Sequence, residues 1–379
     1  MANNNNNKIL NVPNKRFPEF IGEWKKCKLG EIADFTKGAG ISKDQRSSKG
    51  NPCILYGELY TTYKSEIISD IVSKTNIDST NLVKSKYNDV IIPASGETAI
   101  DISTARCVPY NDVLLGGDLN IIRLKDGNDG SFFSYQFNGV RKRDIAKVAQ
   151  GVSVVHLYNE NLKAIKVNSP EIAEQNKISS LLCLIDQRIS TQNKIINKLE
   201  SLIKGLGEEI ANSAYANTML KRCLECHTSA LQESDVNSRG NYPVYGANGI
   251  VGYTETYQAE CDAILIIKDG SSVGSVSTVC GKFSVIGTLN YLTPKVNYSL
   301  HYIYFCLKSF NFYPYKTGMA IPHIYFKDYS NAKIYCPSFE IQCTLAKGLM
   351  NIESKIKIER KYLTSLIKQK TFLLQQMFI

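Results

Sequence analysis

The chain has 379 residues, of which 43% are hydrophobic and 21% charged, and a formal net charge of +10. That length suits two similar domains or one domain with long additions, and the composition is that of a folded globular chain. No apolar run approaches the roughly 18 residues that a membrane-crossing helix requires, and the positive balance favours a polyanionic partner such as nucleic acid.

Residues 1–16 open on an Asn tract at positions 3–7 and read as a disordered leader. The tract lacks the apolar stretch of a secretion signal, which points to the cytoplasm, and the 11 scattered cysteines are then expected as free thiols. Residues 17–170 carry short apolar runs such as positions 89–92, separated by Gly, Asn, Asp and Pro, and form a first mixed α/β lobe. After Pro170 the period changes. Over residues 171–212, Ile178, Leu182, Ile185, Ile189, Ile196, Leu199, Ile203, Leu206 and Ile210, with Gln192 among them, recur in steps of four and three, the spacing of a coiled-coil stripe. A second lobe follows over residues 213–337, with an apolar run at 263–267, and a second stripe over 338–379.

The second half repeats the first. Residues 151–158 (Gly-Val-Ser-Val-Val-His-Leu-Tyr) answer residues 318–325 (Gly-Met-Ala-Ile-Pro-His-Ile-Tyr) at a shift of 167, which also carries Pro170 onto Pro337 and Gln175 onto Gln342. The same shift gives a second seam of Leu345, Leu349, Ile352, Ile356, Leu363 and Leu366, with polar residues at Glu359 and Lys370. Looser anchors pair Tyr56-Gly57 with Tyr245-Gly246, and residues 117–120 with 287–290. The expected fold is therefore α+β: two similar mixed α/β domains related by a pseudo-twofold internal repeat and joined by two long helices. About 40 residues at ~1.5 Å rise make a rod near 60 Å, longer than a small lobe. Burying both seams along that length requires an antiparallel coiled coil.

Catalytic signatures are sparse. The sequence has no Pro-Pro dipeptide and hence no Asp/Asn-Pro-Pro-aromatic motif of an amino-methyltransferase, and Gly281-Lys282 continues into Phe283 rather than completing a phosphate loop. Residues 223–227, Cys-Leu-Glu-Cys-His, match a c-type haem attachment signature. The same stretch reads as the opening strand of the second lobe, with Cys223-Leu224-Glu225 echoing the region from Cys27 to Glu31. With four histidines and no second Cys pair at ligand spacing, no metal site is expected.

Each lobe carries only about +2, so charge must be concentrated locally if it is to hold a duplex. The candidate patches are Lys37, Lys43 and Arg46; Arg141, Lys142, Arg143 and Lys147; and Lys221, Arg222 and Arg239. Tyr56, Tyr245 and Asn248 sit in glycine-containing loops able to approach phosphates or base edges, and His156 and His323 share a repeat position. Each patch has an alternative reading as a solvated face or a plain turn, and the histidines as packing residues.

Residues 12–24 (Val-Pro-Asn-Lys-Arg-Phe-Pro-Glu-Phe-Ile-Gly-Glu-Trp), then Leu29-Gly30-Glu31-Ile32, and residues 170–178 (Pro-Glu-Ile-Ala-Glu-Gln-Asn-Lys-Ile) resemble the specificity subunits of Type I restriction-modification enzymes, as does the order lobe, helix, lobe, helix. The resemblance spans nearly the whole chain, although the second copy of the helix-opening signature, at residues 337–342, is degraded. It implies that each lobe is a target recognition domain reading half of an asymmetric bipartite site on double-stranded DNA. The helices would set the spacer and dock two modification (methyltransferase) subunits carrying S-adenosylmethionine, and restriction (motor-nuclease) subunits would complete the complex. The chain itself would hold no cofactor and no catalytic centre. A two-lobed adaptor that scaffolds without reading DNA, or a self-sufficient methyltransferase, are the alternatives.

Overall fold

A computed structural model describes residues 10–211 and 215–379; the Asn tract at 3–7 lies outside the described residues. The chain forms two compact units, one of residues 1–192 and 362–379, the other of residues 193–361. The unit boundaries fall within the long helices, Ile172–Ala211 and Phe339–Gln376, so each helix contributes to both units. In the first unit Asp186 meets Lys370, and in the second Glu200 meets Arg360. Rising numbers on one helix meet falling numbers on the other, and the pair is antiparallel.

The first unit is built on an antiparallel sheet in the order Ala33–Lys37, Leu119–Leu124, Asp89–Pro93, Arg106–Val108. Its strand Asp89–Pro93 is buried throughout, which explains why Val90, Ile91 and Ile92 are apolar in succession instead of alternating with polar residues. Val90, Ile92 and Ile122 face a core with Phe132, Phe133, Leu182 and Phe378, while Ile91, Leu119 and Ile121 face a second core with Ile54, Leu59 and Val108. A second sheet, Arg46–Ser47, Ser73–Thr75, Asn51–Ile54, Leu114–Leu115, ends in a parallel pair.

The second unit repeats this plan. Its antiparallel sheet runs Leu224–Thr228, Leu289–Pro294, Ala263–Ile267, Val276–Val279, and its second sheet pairs Tyr242–Gly246 in parallel with Lys282–Val285. Equivalent backbone bonds fix the correspondence: Ala94 N donates to Asp118 O as Lys268 N does to Thr288 O, and Leu157 N to Ala94 O as Ile324 N does to Lys268 O.

The repeated Pro and Gln now have a physical role. Gln175 accepts from Asp129 N at 2.8 Å and donates to Pro170 O at 2.8 Å; Gln342 accepts from Ser299 N at 3.0 Å and donates to Pro337 O at 2.9 Å. Asp129 and Ser299 are the N-caps of the helices Gly130–Asn138 and Leu300–Lys308. One buried amide thus ties the start of each long helix to the cap of the helix packed on its sheet.

Several expectations need correction. Residues 11–16 are held against the domain and are not a disordered leader: Asn11 Nδ2 donates to Trp24 O, Lys15 N to Gln376 O, and Arg16 pairs with Glu174. Bulky Trp24, buried against Phe132 and Phe378, draws this segment onto the domain. The single-turn helix Leu29–Ile32 corresponds to Leu220–Cys223, since Leu29 N donates to Ile165 O and Leu220 N to Ala332 O. Cys223 therefore answers Ile32, not Cys27. Tyr56 and Tyr245 are not equivalent either; Gly116 N donates to Ile54 O as Ile286 N does to Tyr245 O, which places Tyr245 opposite Ile54.

Most seam positions face inward. Ile178, Leu182, Ile185, Ile196, Leu349, Ile356 and Leu366 are buried, and Ile189, Leu199, Ile352 and Leu363 are partly so. Leu345 is 37% exposed and does not belong to the seam. Inward-turned Gln342 sets the rotation of this first turn, so the buried face runs through Gln342, Ala346 and Leu349, one residue away from Leu345. Leu206 is likewise exposed, beside buried Gly207.

Candidate nucleic-acid interface

In the first unit a cleft of about 1030 Å³ opens between residues 40–46, residues 55–62 and Gly117-Asp118. Gly38 makes the loop possible: a Cβ there would lie 1.9 Å from Gly116 O, so only glycine lets the two backbones pass this closely. The loop then tightens into a 3-10 turn over Lys43–Gln45, where Gln45 Oε1 accepts from Ser42 N at 2.9 Å. Lys43 and Arg46 project from this turn and are exposed. Arg46 donates to Lys43 O and lies 3.8 Å from Glu58, a buried carboxylate already engaged by Leu55 N and Ser73 Oγ. Such a distant partner leaves the guanidinium able to swing to a phosphate. Tyr56, half-buried, completes the wall.

Next to the cleft stands a hairpin closed by Gln150 N to His156 O at 2.9 Å and His156 N to Gln150 O at 2.7 Å. It is joined to the cleft wall through Leu157, Ala94 and Asp118. His156 is exposed and stacks on Tyr158, over which Lys37 Nζ sits at 5.8 Å. Lys43, Arg46 and Tyr56 thus line the cleft, and Lys37, His156 and Tyr158 gather at the hairpin beside it.

Arg141 and Lys142 do not belong to a free patch. Arg141 donates to Ile379 O at 2.7 Å and pairs with Asp144, while Lys142 is partly buried and donates to Thr104 Oγ1. Burial, helped by the nearby Arg106 charge, pushes the Lys142 ammonium below the usual lysine range. Arg143 and Lys147 remain exposed.

The second unit presents the corresponding hairpin, closed by Thr317 and His323, and His323 again stacks on the tyrosine two residues on, Tyr325. Here Asp269 holds His323 Nδ1 at 2.7 Å. In the first unit Ser95 stands opposite His156, so the two histidines are set up differently on the same frame. Asn248 is exposed in the turn between Tyr242–Gly246 and Gly249–Thr254; Tyr245 is partly buried edge-on to Phe283, and Arg239 is exposed. Lys221 and Arg222 are exposed on Leu220–Cys223, with Lys221 bound to Asn331 at 2.7 Å. One cluster escaped sequence reasoning: Lys282 lies 4.9 Å from the Tyr257 ring and 5.9 Å from that of Tyr242, with Glu260 raising its pKa. Its members are spread over 40 residues and only strand pairing assembles them.

The haem-like stretch runs from the last residue of the turn Leu220–Cys223 into the strand Leu224–Thr228. Cys223 is buried with its Sγ 3.8 Å from that of Cys336, and His227 stacks on Tyr291 and bonds Thr293. Among the described residues no group of three or more His, Cys, Asp or Glu is placed to hold a metal, and no helix is long and apolar enough to cross a membrane.

A family model, the Type I restriction modification DNA specificity domain, matches residues 21–201 and again residues 225–368. The chain belongs to this family. The two matches coincide with the two copies of the sheet-and-helix plan, so the specificity domain is present twice. A Haemophilus influenzae protein named as a type I restriction enzyme specificity subunit is 28% identical over 120 residues, 31% of this chain and 31% of that protein. The crystal structure of the Type-I restriction-modification S subunit from M. genitalium superposes with a TM-score of 0.65 at 18% identity, covering 97% of this chain and 99% of that one. A chain from a structure of type I R-M complex assembly gives 0.55 at 16% identity, covering 94% and 97%. The specificity-subunit fold therefore spans both domains and both long helices.

Proposed function

We propose that this chain is the DNA sequence-specificity subunit of a Type I restriction-modification complex, each domain reading one half of an asymmetric bipartite site. The observation that carries the reading is a specificity domain occurring twice in one chain on a shared hydrogen-bonded frame, while the exposed residues on that frame differ. Arg46, Lys43 and Tyr56 line the cleft of the first unit; Asn248 and Arg239 are exposed in the second, and the shared His156 and His323 stand against Ser95 and Asp269. Different side chains on equivalent frames suit two different half-sites. The long helices set the spacer between the half-sites and dock two modification subunits, which bring S-adenosylmethionine and methylate adenine. Restriction subunits join to cut unmodified DNA. The chain itself contributes recognition and no reaction step, and it works in the cytoplasm, where the DNA is.

Rigid spacing of two half-site readers multiplies their selectivity, because binding of one raises the effective concentration of the other. The test is selection from random duplexes by the chain assembled with its modification subunit. Enrichment of a two-part sequence with a fixed gap supports the reading; recovery of unselected DNA from a stable complex contradicts it.

A further inference from the structure

Inside the first unit, Lys370 of the second long helix sits between two buried carboxylates, Glu66 at 2.5 Å and Asp186 at 2.6 Å. The Tyr135 hydroxyl donates to Asp186 at 2.8 Å and Ser65 Oγ does so at 3.1 Å. Arg106, also buried, spends its guanidinium on the Leu59, Ala105 and Tyr63 carbonyls. Lys370 is thus the cation that engages both acids directly.

The repeat shows what stands in this place in the second unit. Shifting Lys370 back by 167 gives Ile203, and shifting Asp186 forward gives Glu353. Aligning the caps Asp129 and Ser299 puts Phe305 where Tyr135 stands. Ile203 packs on an apolar core containing buried Phe305, while Glu353 turns to the Tyr304 hydroxyl and Lys308. Glu66 comes from the connection between Ile54 and Asp89, about twice as long as its counterpart between Tyr245 and Ala263. The longer connection thus supplies part of an acidic socket where the second unit has an apolar contact.

Because the units are repeats, the helix stretch bearing Ile203 has the general shape to occupy the place of the stretch bearing Lys370. In one straight helix residue 203 is about 25 Å from residue 186 at ~1.5 Å per residue, so it reaches the Asp186 socket only from a second copy. We propose that the Glu66–Asp186 socket is a pairing selector: it accepts the lysine of the chain's own second helix and rejects the first helix of a second copy. An isoleucine there leaves two carboxylates buried without a cation, whereas removing both charges together with the lysine costs little. The selector keeps the two different domains on one chain and prevents homotypic assembly of two copies of the first.

The test uses the full chain in four forms, with urea unfolding and light scattering over a hundredfold range of concentration. Wild type is expected to stay monomeric with a concentration-independent midpoint, and Lys370→Ile to lose midpoint at every concentration. Adding Ile203→Lys moves the lysine to the first helix; that double variant should regain midpoint only as concentration rises, with mass doubling. Glu66→Met/Asp186→Leu/Lys370→Met keeps the core without the charges and should fold while self-associating more than wild type. Wild type that already dimerises through these helices, a double variant that stays monomeric at all concentrations, or an uncharged variant as monomeric as wild type would each overturn the selector.

Discussion

Arg16 and Glu174 form a two-point ion pair, Nε to Oε1 at 2.7 Å and Nη2 to Oε2 at 2.6 Å, with the carboxylate completely withdrawn from solvent. Glu174 lies in the first turn of the first long helix, where a negative charge is also favoured by the helix dipole. Glu174 raises the guanidinium pKa by this hydrogen bond, so Arg16 keeps its charge. The N-terminal segment is thereby fastened to the helix that leaves its domain.

Arg16→Ala should lower stability by about 3–5 kcal/mol, because it strands a buried carboxylate. Arg16→Met combined with Glu174→Met should recover most of that loss. Urea unfolding of the two variants checks this, and equal losses would show that the charge at Glu174 is not the cause.

The two glutamines are predicted to act alike. Gln175→Ala and Gln342→Ala each remove the acceptor of a cap N–H and the donor to a proline carbonyl, and each should cost about 1–3 kcal/mol. Hydrogen exchange should quicken at Asp129 N in the first variant and at Ser299 N in the second, and in neither case at the other site.

This pair also shows which parts of the fold were legible in the sequence. Pro170–Gln175 and Pro337–Gln342 stand out because both copies need the same short-range geometry, so the repeat is visible even where the lobes differ. The helix seams are legible for the same reason, a period imposed by packing. Leu345 misled because the stripe was carried over by the repeat, whereas the rotation of that turn is set by Gln342 reaching back to Ser299. Tyr56 and Tyr245 misled because a shared Tyr-Gly dipeptide says nothing about which residue enters the parallel strand pair. The socket around Lys370 was illegible: its acids lie 304 and 184 positions away along the chain. Of the basic patches, local charge found the cleft residues but could not tell Arg141, held by Ile379 O and Asp144, from Arg46, exposed at the cleft with its nearest carboxylate 3.8 Å away.

That distinction yields a binding prediction. Lys43→Ala and Arg46→Ala should weaken DNA binding by the assembled complex and each reduce the salt slope by about 1, the signature of a lost phosphate contact. Arg141→Ala should lower the unfolding midpoint and leave the salt slope unchanged. Titration of fluorescent duplex at several salt concentrations separates the cases.

The corrected helix face is testable in the second unit. Ala346 is 3% exposed and Leu345 37%. Ala346→Glu should cost about 2 kcal/mol or more by burying an unpaired charge, and Leu345→Glu within about 0.5 kcal/mol, as for a surface change. The reverse order in chemical unfolding would return Leu345 to the seam.

The DNA sequence that the assembled complex marks is expected to be set by this chain. Single-molecule sequencing of methylated bases in DNA from cells expressing the chain with a compatible modification subunit, against cells expressing that subunit alone, tests it most directly. Methyladenine is expected at one bipartite motif, present only with the chain. The same pattern of methylation with and without the chain, despite a stable complex, would contradict it.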